Sequence, residues 1–203
     1  MKLLIVGPQG SGKGTQAKKI AEHYNLLHIS TGDIFRENIK NETELGKLAK
    51  SFIDKGLLVP DNVTNDIVAD KIKKEDNFIL DGYPRNLSQA EFLDTVIDID
   101  KVILINLDDD EVLKRLSGRR TCPICGEIYH INFKPPKISG KCDHDDGDLF
   151  QRDDDKPDAI IERLAIYHNQ TSPLIEHYKN NVLEIDGSLS IEEVWKQVNE
   201  KLG

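Results

Sequence analysis

Between a short apolar run and the start of a helical pattern the chain reads "GPQGSGKGT", Gly7 to Thr15, with four glycines and a lysine in nine residues. Gly7, Gly12 and Lys13 have the G-x-x-x-x-G-K spacing of a phosphate-binding loop. Backbone without Cβ atoms can wrap until successive N–H groups point at one centre, a nest for anionic oxygens. The helix that follows adds the partial positive charge of its N-terminus, and Lys13 reaches toward the outer phosphates. A tight turn alone would not need a strand before it, a helix after it and a lysine in this place. The usual pattern sets Ser or Thr directly after the lysine; here Gly14 stands there and Thr15 comes next. The loop therefore predicts a nucleoside-triphosphate site built on Gly10, Ser11, Gly12, Lys13, Gly14 and Thr15.

Apolar segments recur along the chain at "LLIV" (Leu3–Val6), "LLHI" (Leu26–Ile29), "FIL" (Phe78–Leu80), "VILINL" (Val102–Leu107) and "VLEI" (Val182–Ile185). Helical periods fall between them, over Thr15–Tyr24, Asn62–Lys74, Leu87–Val96, Asp109–Leu116, Asp158–Tyr178 and Ile191–Leu202. Near-continuous apolar strands alternating with helices predict an α/β fold, a parallel sheet covered on both faces. At 203 residues this is one domain. From about Gly118 to Asp155 the helical period disappears and cysteines, prolines, glycines and acids take over. So long a stretch is not a plain loop in a compact domain, and it reads as a small inserted subdomain.

No apolar run is long enough to span a bilayer, and the chain opens on a strand rather than a signal peptide, so a cytoplasmic location is expected. The net charge of −9 disfavours non-specific binding to nucleic acid or to an anionic membrane. Seven arginines stand against twenty lysines. Lysine supplies the general surface charge, whereas the planar guanidinium, suited to two-point phosphate contacts, is rationed to Arg36, Arg85, Arg115, Arg119, Arg120, Arg152 and Arg163. The three cysteines, Cys122, Cys125 and Cys142, lie close together. An odd, clustered count argues against a disulfide framework and for a metal.

Five further stretches, "ISTGDIFR" (Ile29–Arg36), "GLLVPD" (Gly56–Asp61), "FILDGYPRNLSQAE" (Phe78–Glu91), "RLSGRR" (Arg115–Arg120) and "QRDDD…ERL" (Gln151–Leu164), together with the phosphate loop, resemble the adenylate kinase family in order and spacing. The resemblance runs along nearly the whole chain. It implies a P-loop NTPase-like core formed by residues 1–29, 60–117 and 156–203, a helical AMP-binding segment over 30–59 and a zinc-ribbon-like lid over 118–155. It implies Mg²⁺-dependent, reversible transfer of the γ-phosphoryl of ATP to AMP, giving two ADP, with a monomer as the default state. Such chemistry is mostly positioning and electrostatic stabilisation.

Residue by residue, the resemblance puts ATP against the loop, Arg115, Arg119, Ile128, Tyr129 and Ser188, with Arg115 stacked on the base. It gives AMP to Thr31, Arg36, Leu57, Leu58, Val59, Gly82, Tyr83, Pro84, Arg85 and Gln89, with Arg36 and Arg85 on the phosphate, Gln89 on the adenine edge and a cis bond before Pro84. Arg119, Arg152 and Arg163 converge on the transferring group. Thr15 and Asp81 serve Mg²⁺, and Asp33 is similarly placed. Arg120 receives no role. Gln9 stands where most of the family has proline.

"CPIC" (Cys122–Cys125) and "CDHD" (Cys142–Asp145) are separated by sixteen residues, a spacing that suits a tetrahedral structural zinc site. A fourth cysteine is missing. The resemblance puts Asp145 in that place, three after Cys142; His144 is a better zinc ligand but one residue out of register.

Other readings leave their own marks. A GTPase-like switch needs Asp-x-x-Gly and Asn-Lys-x-Asp, and neither pattern occurs in the sequence. A zinc-ribbon nucleic-acid module is opposed by the net charge and by the acidic "DHDDGD" beside the cysteines. A UMP/CMP-type kinase is suggested by Asn86 after Arg85, against which stand Gln89, "GLLVP" and the long cysteine-bearing lid.

Overall fold

The computed structural model describes residues 1–203. Five parallel strands form the central sheet: β1 (Lys2–Val6), β2 (Leu27–Ser30), β3 (Phe78–Asp81), β4 (Lys101–Asn106) and, near the carboxyl end, Val182–Asp186, which becomes β7 once the inserted hairpin is counted. Their order across the sheet is β2-β3-β1-β4-β7. Register places Leu4 opposite Leu80 on one side and Val102 on the other.

Alternation along each strand divides the core in two. Leu3, Ile5, Ile79, Ile103, Ile105 and Ile185 face α1 (Lys13–Tyr24) and α9 (Ile191–Leu202) through Ala17, Ile20, Val194 and Val198. Leu4, Val6, Phe78, Leu80, Val102 and Leu104 face the opposite layer, where α4 (Asp61–Ile72) and α5 (Leu87–Val96) contribute Val68, Ile72, Ala90 and Leu93. Burying one such side chain is worth about 1.5–3 kcal/mol, so both faces hold the sheet and the expected fold class is what forms. The strand order reverses around β1, and crevices at the carboxyl ends of such sheets are where ligands bind.

The remaining elements lie outside the sheet and its two helical layers. α2 (Thr31–Lys40) and α3 (Glu44–Ile53) pack on each other around Phe35 and Ala49. Their approach is so close that a Cβ at Gly46 would fall 2.1 Å from the carbonyl oxygen of Asn38. α6 (Asp109–Ser117) leads into the inserted piece, where β5 (Arg119–Thr121) and β6 (Ile128–His130) pair antiparallel. Isolated bridges Thr121–Phe150, His130–Lys134 and Lys141–Asp148 complete it. The helical pair and the inserted piece meet where Lys40 Nζ donates to the carbonyl of Pro123 at 2.9 Å.

One expected element is corrected. Asp158–Tyr178 is not a single helix but α7 (Pro157–Ile166), a π-helical turn (Tyr167–Thr171) and α8 (Leu174–His177). Pro173 has no N–H to continue the ladder. Ser172 instead bonds back to Tyr167 at 2.8 Å, and the Thr171 hydroxyl turns away to donate to the carbonyl of Arg85 at 2.7 Å.

Candidate active site

At the carboxyl end of β1 the loop makes its turn with Gly7, Gly10 and Gly12 at positive φ. Gly7 is required twice over, since a Cβ there would lie 2.3 Å from the carbonyl oxygen of Ile105 on the neighbouring strand. Lys13 folds back across the turn, donating to Gly7 O at 2.7 Å and Pro8 O at 2.6 Å. Burial, only partly offset by Asp81 and reinforced by Arg85, Arg163 and Arg119, lowers its pKa from 10.5 to about 7. Ser11 Oγ is buried with no hydrogen-bond partner. Such a group costs about 1–3 kcal/mol, which fits a loop shaped to give its donors to an anion. Asp81, ending β3, sets Oδ2 against Gly14 and 3.5 Å from His28 Nε2.

The loop, Asp81 and Thr15 line a cavity of about 790 Å³. The same cavity is lined by Arg36, Arg85, Arg115, Arg119, Arg152 and Arg163. Arg120 does not reach it, because its Nη1 donates outward to the carbonyls of Ser117 (3.2 Å) and Arg119 (2.7 Å).

Each inward arginine is held in place. Arg119 grips Asp155 at two points, 2.7 and 2.5 Å. Arg163 donates to the Asp154 carboxylate at 2.9 Å and to its carbonyl at 2.8 Å. Arg152, only 8% exposed, donates to Thr121 Oγ1 at 2.9 Å, and Arg85 to Gly82 O at 2.8 Å. Burial and neighbouring cations lower Arg152 to about 9 and Arg163 to about 10, leaving both charged at neutral pH. Lys13, Arg85, Arg119, Arg152 and Arg163 thus face the carboxylates of Asp81, Asp154 and Asp155, an excess of positive charge that a polyanion would balance. Asp154 and Asp155 carry no distinct signal in the sequence. An acidic run reads as a solvated face, and only the adjacent Arg152 hints otherwise.

The remaining expected residues divide. Arg115 is steadied at the cavity wall by Glu111 Oε1 (3.0 Å) and the carbonyl of Ser188 (3.3 Å). Ile128, Tyr129 and Ser188 line the same space. The Tyr129 hydroxyl points elsewhere, 3.5 Å from Cys142 Sγ, and accepts from the Asp143 N–H at 2.8 Å. His130, Phe133 and Lys134 also line the cavity, and no motif in the sequence marks them. A smaller, adjoining cavity gathers Thr31, Arg36, Leu57, Leu58, Val59, Gly82, Arg85 and Gln89. Tyr83 and Pro84 do not line either cavity. Tyr83 is a core residue, 1% exposed, with its hydroxyl on Asn65 at 2.7 Å, and the bond to Pro84 is cis. Asp33 is turned from the cavity onto Arg36.

In the inserted piece Cys122, Cys125, Cys142 and Asp145 bring their ligand atoms within 4.8 Å of one another, and His144 is not among them. Cys125 Sγ lies 3.5 Å from Cys142 Sγ, and Cys122 Sγ lies 3.2 Å from Asp145 Oδ1. Those spacings approach the roughly 3.7 Å edge of a tetrahedron built on ~2.3 Å bonds, and three sulfurs with one carboxylate suit zinc. The Gly147 N–H braces Asp145 Oδ1 at 2.9 Å. The Asp145 carboxylate pushes the Cys125 thiol up to about 12, so this thiol keeps its proton until a cation compensates.

A phosphate loop at a strand end, ringed by more cations than carboxylates and flanked by a helical pair and an inserted hairpin, belongs to the P-loop phosphotransferases. Comparison with known proteins narrows the class. A family model described as adenylate kinase matches residues 5–183. The adenylate kinase of Thermoanaerobacter sp. strain X514 is 50% identical over an alignment 213 positions long that covers 100% of this chain and 98% of that protein. That of Caldanaerobacter subterraneus subsp. tengcongensis is 49% identical over 100% of this chain and 96% of its own length. That of Methanothrix thermoacetophila is 48% identical over 100% and 98%. The chain belongs to the adenylate kinase family.

Proposed function

We propose that this protein is an ATP:AMP phosphotransferase that moves the γ-phosphoryl of ATP reversibly to AMP, giving two ADP. One observation carries the reading: six of the seven arginines line one cavity over the phosphate loop and the seventh does not. A single nucleotide does not need that many. Two nucleotides meeting phosphate to phosphate do.

The loop amides and Lys13 hold the β- and γ-phosphates of the donor, and Arg115 presents its flat face to the donor base. Residues 30–59 form the acceptor segment, where Arg36 and Arg85 take the AMP phosphate and Gln89 the base. Arg119, Arg152 and Arg163 gather on the group in transfer, stabilising charge spread over its equatorial oxygens. Residues 118–155 act as a lid whose closure excludes water, and 1–29, 60–117 and 156–203 form the core. No side chain is needed as a strong base. Thr15 and Asp81 are the residues that would hold Mg²⁺, which would neutralise part of the phosphate charge of ATP. The cysteine cluster would hold a structural zinc. A monomer working in the cytoplasm is the matching state; no helix is long and apolar enough to cross a membrane.

Purified protein with Mg²⁺, ATP and a panel of monophosphates tests the reading. ADP formed from AMP, two for each AMP consumed, supports it. Preference for UMP or CMP would transfer the protein to the neighbouring kinase type, and no diphosphate from any acceptor would overturn the reading.

A further inference from the structure

Gln89 lies in the first turn of α5, where the Asn86 side chain caps it by accepting from its backbone N–H at 2.9 Å. Its side-chain amide is gripped from both sides. Oε1 accepts from the Arg85 backbone N–H at 2.8 Å, and Nε2 donates to Asp61 Oδ1 at 2.7 Å. Asn86 Nδ2 donates to that same carboxylate oxygen at 2.9 Å and steadies it. A backbone N–H only donates and a carboxylate only accepts. Turning the amide over would set N–H against N–H and oxygen against oxygen, at a residue only 2% exposed, where water cannot repair the mismatch. Each amide atom still keeps one unused valence, a second lone pair on Oε1 and a second hydrogen on Nε2. Gln89 lines the smaller cavity beside Thr31, Val59 and Arg85.

We propose that Asp61 is a positioning residue that locks the Gln89 amide in one orientation, making the acceptor site select a 6-aminopurine over a 6-oxopurine. The inference rests on reading the smaller cavity as the AMP side. A 6-aminopurine presents an exocyclic N–H donor beside a ring-nitrogen acceptor, the complement of the free lone pair on Oε1 and the free hydrogen on Nε2. A 6-oxopurine reverses both. A freely turning glutamine would serve either base; one pinned by Asp61 and Arg85 serves only the first, and leaves two mismatched polar pairs with the second.

The test uses the full chain with Mg²⁺ and ATP and three acceptors: AMP, IMP and purine ribonucleoside 5′-monophosphate, which lacks any 6-substituent. A locked amide gives the order AMP, then the unsubstituted purine, then IMP, because a missing hydrogen bond is milder than two opposed ones. IMP used better than the unsubstituted purine by the wild type overturns the lock. In Asp61→Asn the partner can donate or accept, so the AMP/IMP ratio of kcat/KM should fall at least about tenfold. The change should lie in opposite movements of the two KM values, with kcat on AMP kept. Asp61→Ala should act in the same direction and stands in if the asparagine variant folds poorly. General loosening of the site would raise KM for all three acceptors together without changing their order. An unchanged ratio in either folded variant overturns the inference while AMP turnover keeps the function standing, whereas a wild type inactive on AMP removes both.

Discussion

Arg119 and Asp155 are joined at two points, Nε to Oδ2 at 2.7 Å and Nη2 to Oδ1 at 2.5 Å, with the Asp155 side chain shut away from solvent. Arg163 Nη1 lies 3.7 Å from the same carboxylate. One buried acid therefore holds two of the arginines proposed to meet the transferring phosphoryl group. Removing one partner of a buried pair leaves the other charge uncompensated, which costs roughly 3–5 kcal/mol. Asp155→Ala should lower the denaturant midpoint accordingly and reduce kcat, since Arg119 loses its fixed direction. A two-nucleotide mimic should recover part of the stability by supplying negative charge to the same arginines. An Asp155→Ala chain as stable and active as the wild type would contradict this account.

Neighbouring arginines in one strand should behave oppositely. Arg119 lines the cavity, while Arg120 is spent on the carbonyls of Ser117 and Arg119. Loss of a preorganised donor to transition-state charge costs about 10²–10³ in rate. Arg119→Ala is expected to lose kcat on that scale, and Arg120→Ala to stay within about threefold of the wild type, as surface changes do. Comparable losses in the two variants would mean that the cavity lining does not sort the arginines.

How much of this was readable beforehand depended on whether a local rule stood alone. The bounds of α5 and α9 were legible to the residue, because Asn86 and Ser190 cap them, the latter with Glu193 in a reciprocal box. The phosphate loop was legible because its glycines answer to backbone geometry alone. The break after Ile166 was legible only in part: Pro173 marks a stop, but the partner of the Thr171 hydroxyl, the carbonyl of Arg85, lies eighty-six residues away in sequence. Asp154 and Asp155 were illegible for a similar reason: in sequence they extend an acidic run, and only the fold folds arginines over them. Tyr83 stands in the motif that implies a nucleotide contact, but its hydroxyl has a partner in the core at Asn65. The motif marked the turn correctly and did not say which side chains face inward.

Lys13 gives stability a pH dependence of known sign. Its folded pKa is lowered to about 7 by burial, against 10.5 unfolded. Below about pH 7 both states carry the proton, and the full penalty for burying the charge is present. Between 7 and 10.5 the folded state releases it while the unfolded state keeps it, so the unfolded state binds more protons and stability rises with pH. Above 10.5 the contribution is level. Lys13→Met lacks this group, so the wild type should gain stability on the mutant between pH 7 and 9 in nucleotide-free denaturant titrations. A constant difference between the two chains across that range would refute the burial assignment. The same substitution should cost orders of magnitude in kcat with the fold retained, measured in the AMP assay.

The lid cluster separates a structural role from a chemical one. Four ligand atoms within 4.8 Å form a closed set, with no position left for substrate. Metal analysis of purified protein should find one zinc per chain, and Cys125→Ser should find less. Stripping the metal should lower Tm by at least ~5 °C, the shift that ~2 kcal/mol produces in a chain of this size. Because the Cys125 thiol is pushed up to about 12 beside Asp145, zinc uptake has to release protons, and affinity should fall as pH falls. Tyr129 links this cluster to the nucleotide cavity, with its hydroxyl near Cys142 and its residue in the cavity wall. The apo protein should therefore show a raised KM for ATP at low temperature while keeping most of its kcat, the lid being looser but the arginines intact. Complete loss of phosphoryl transfer in a folded apo protein would show instead that the metal takes part in the chemistry.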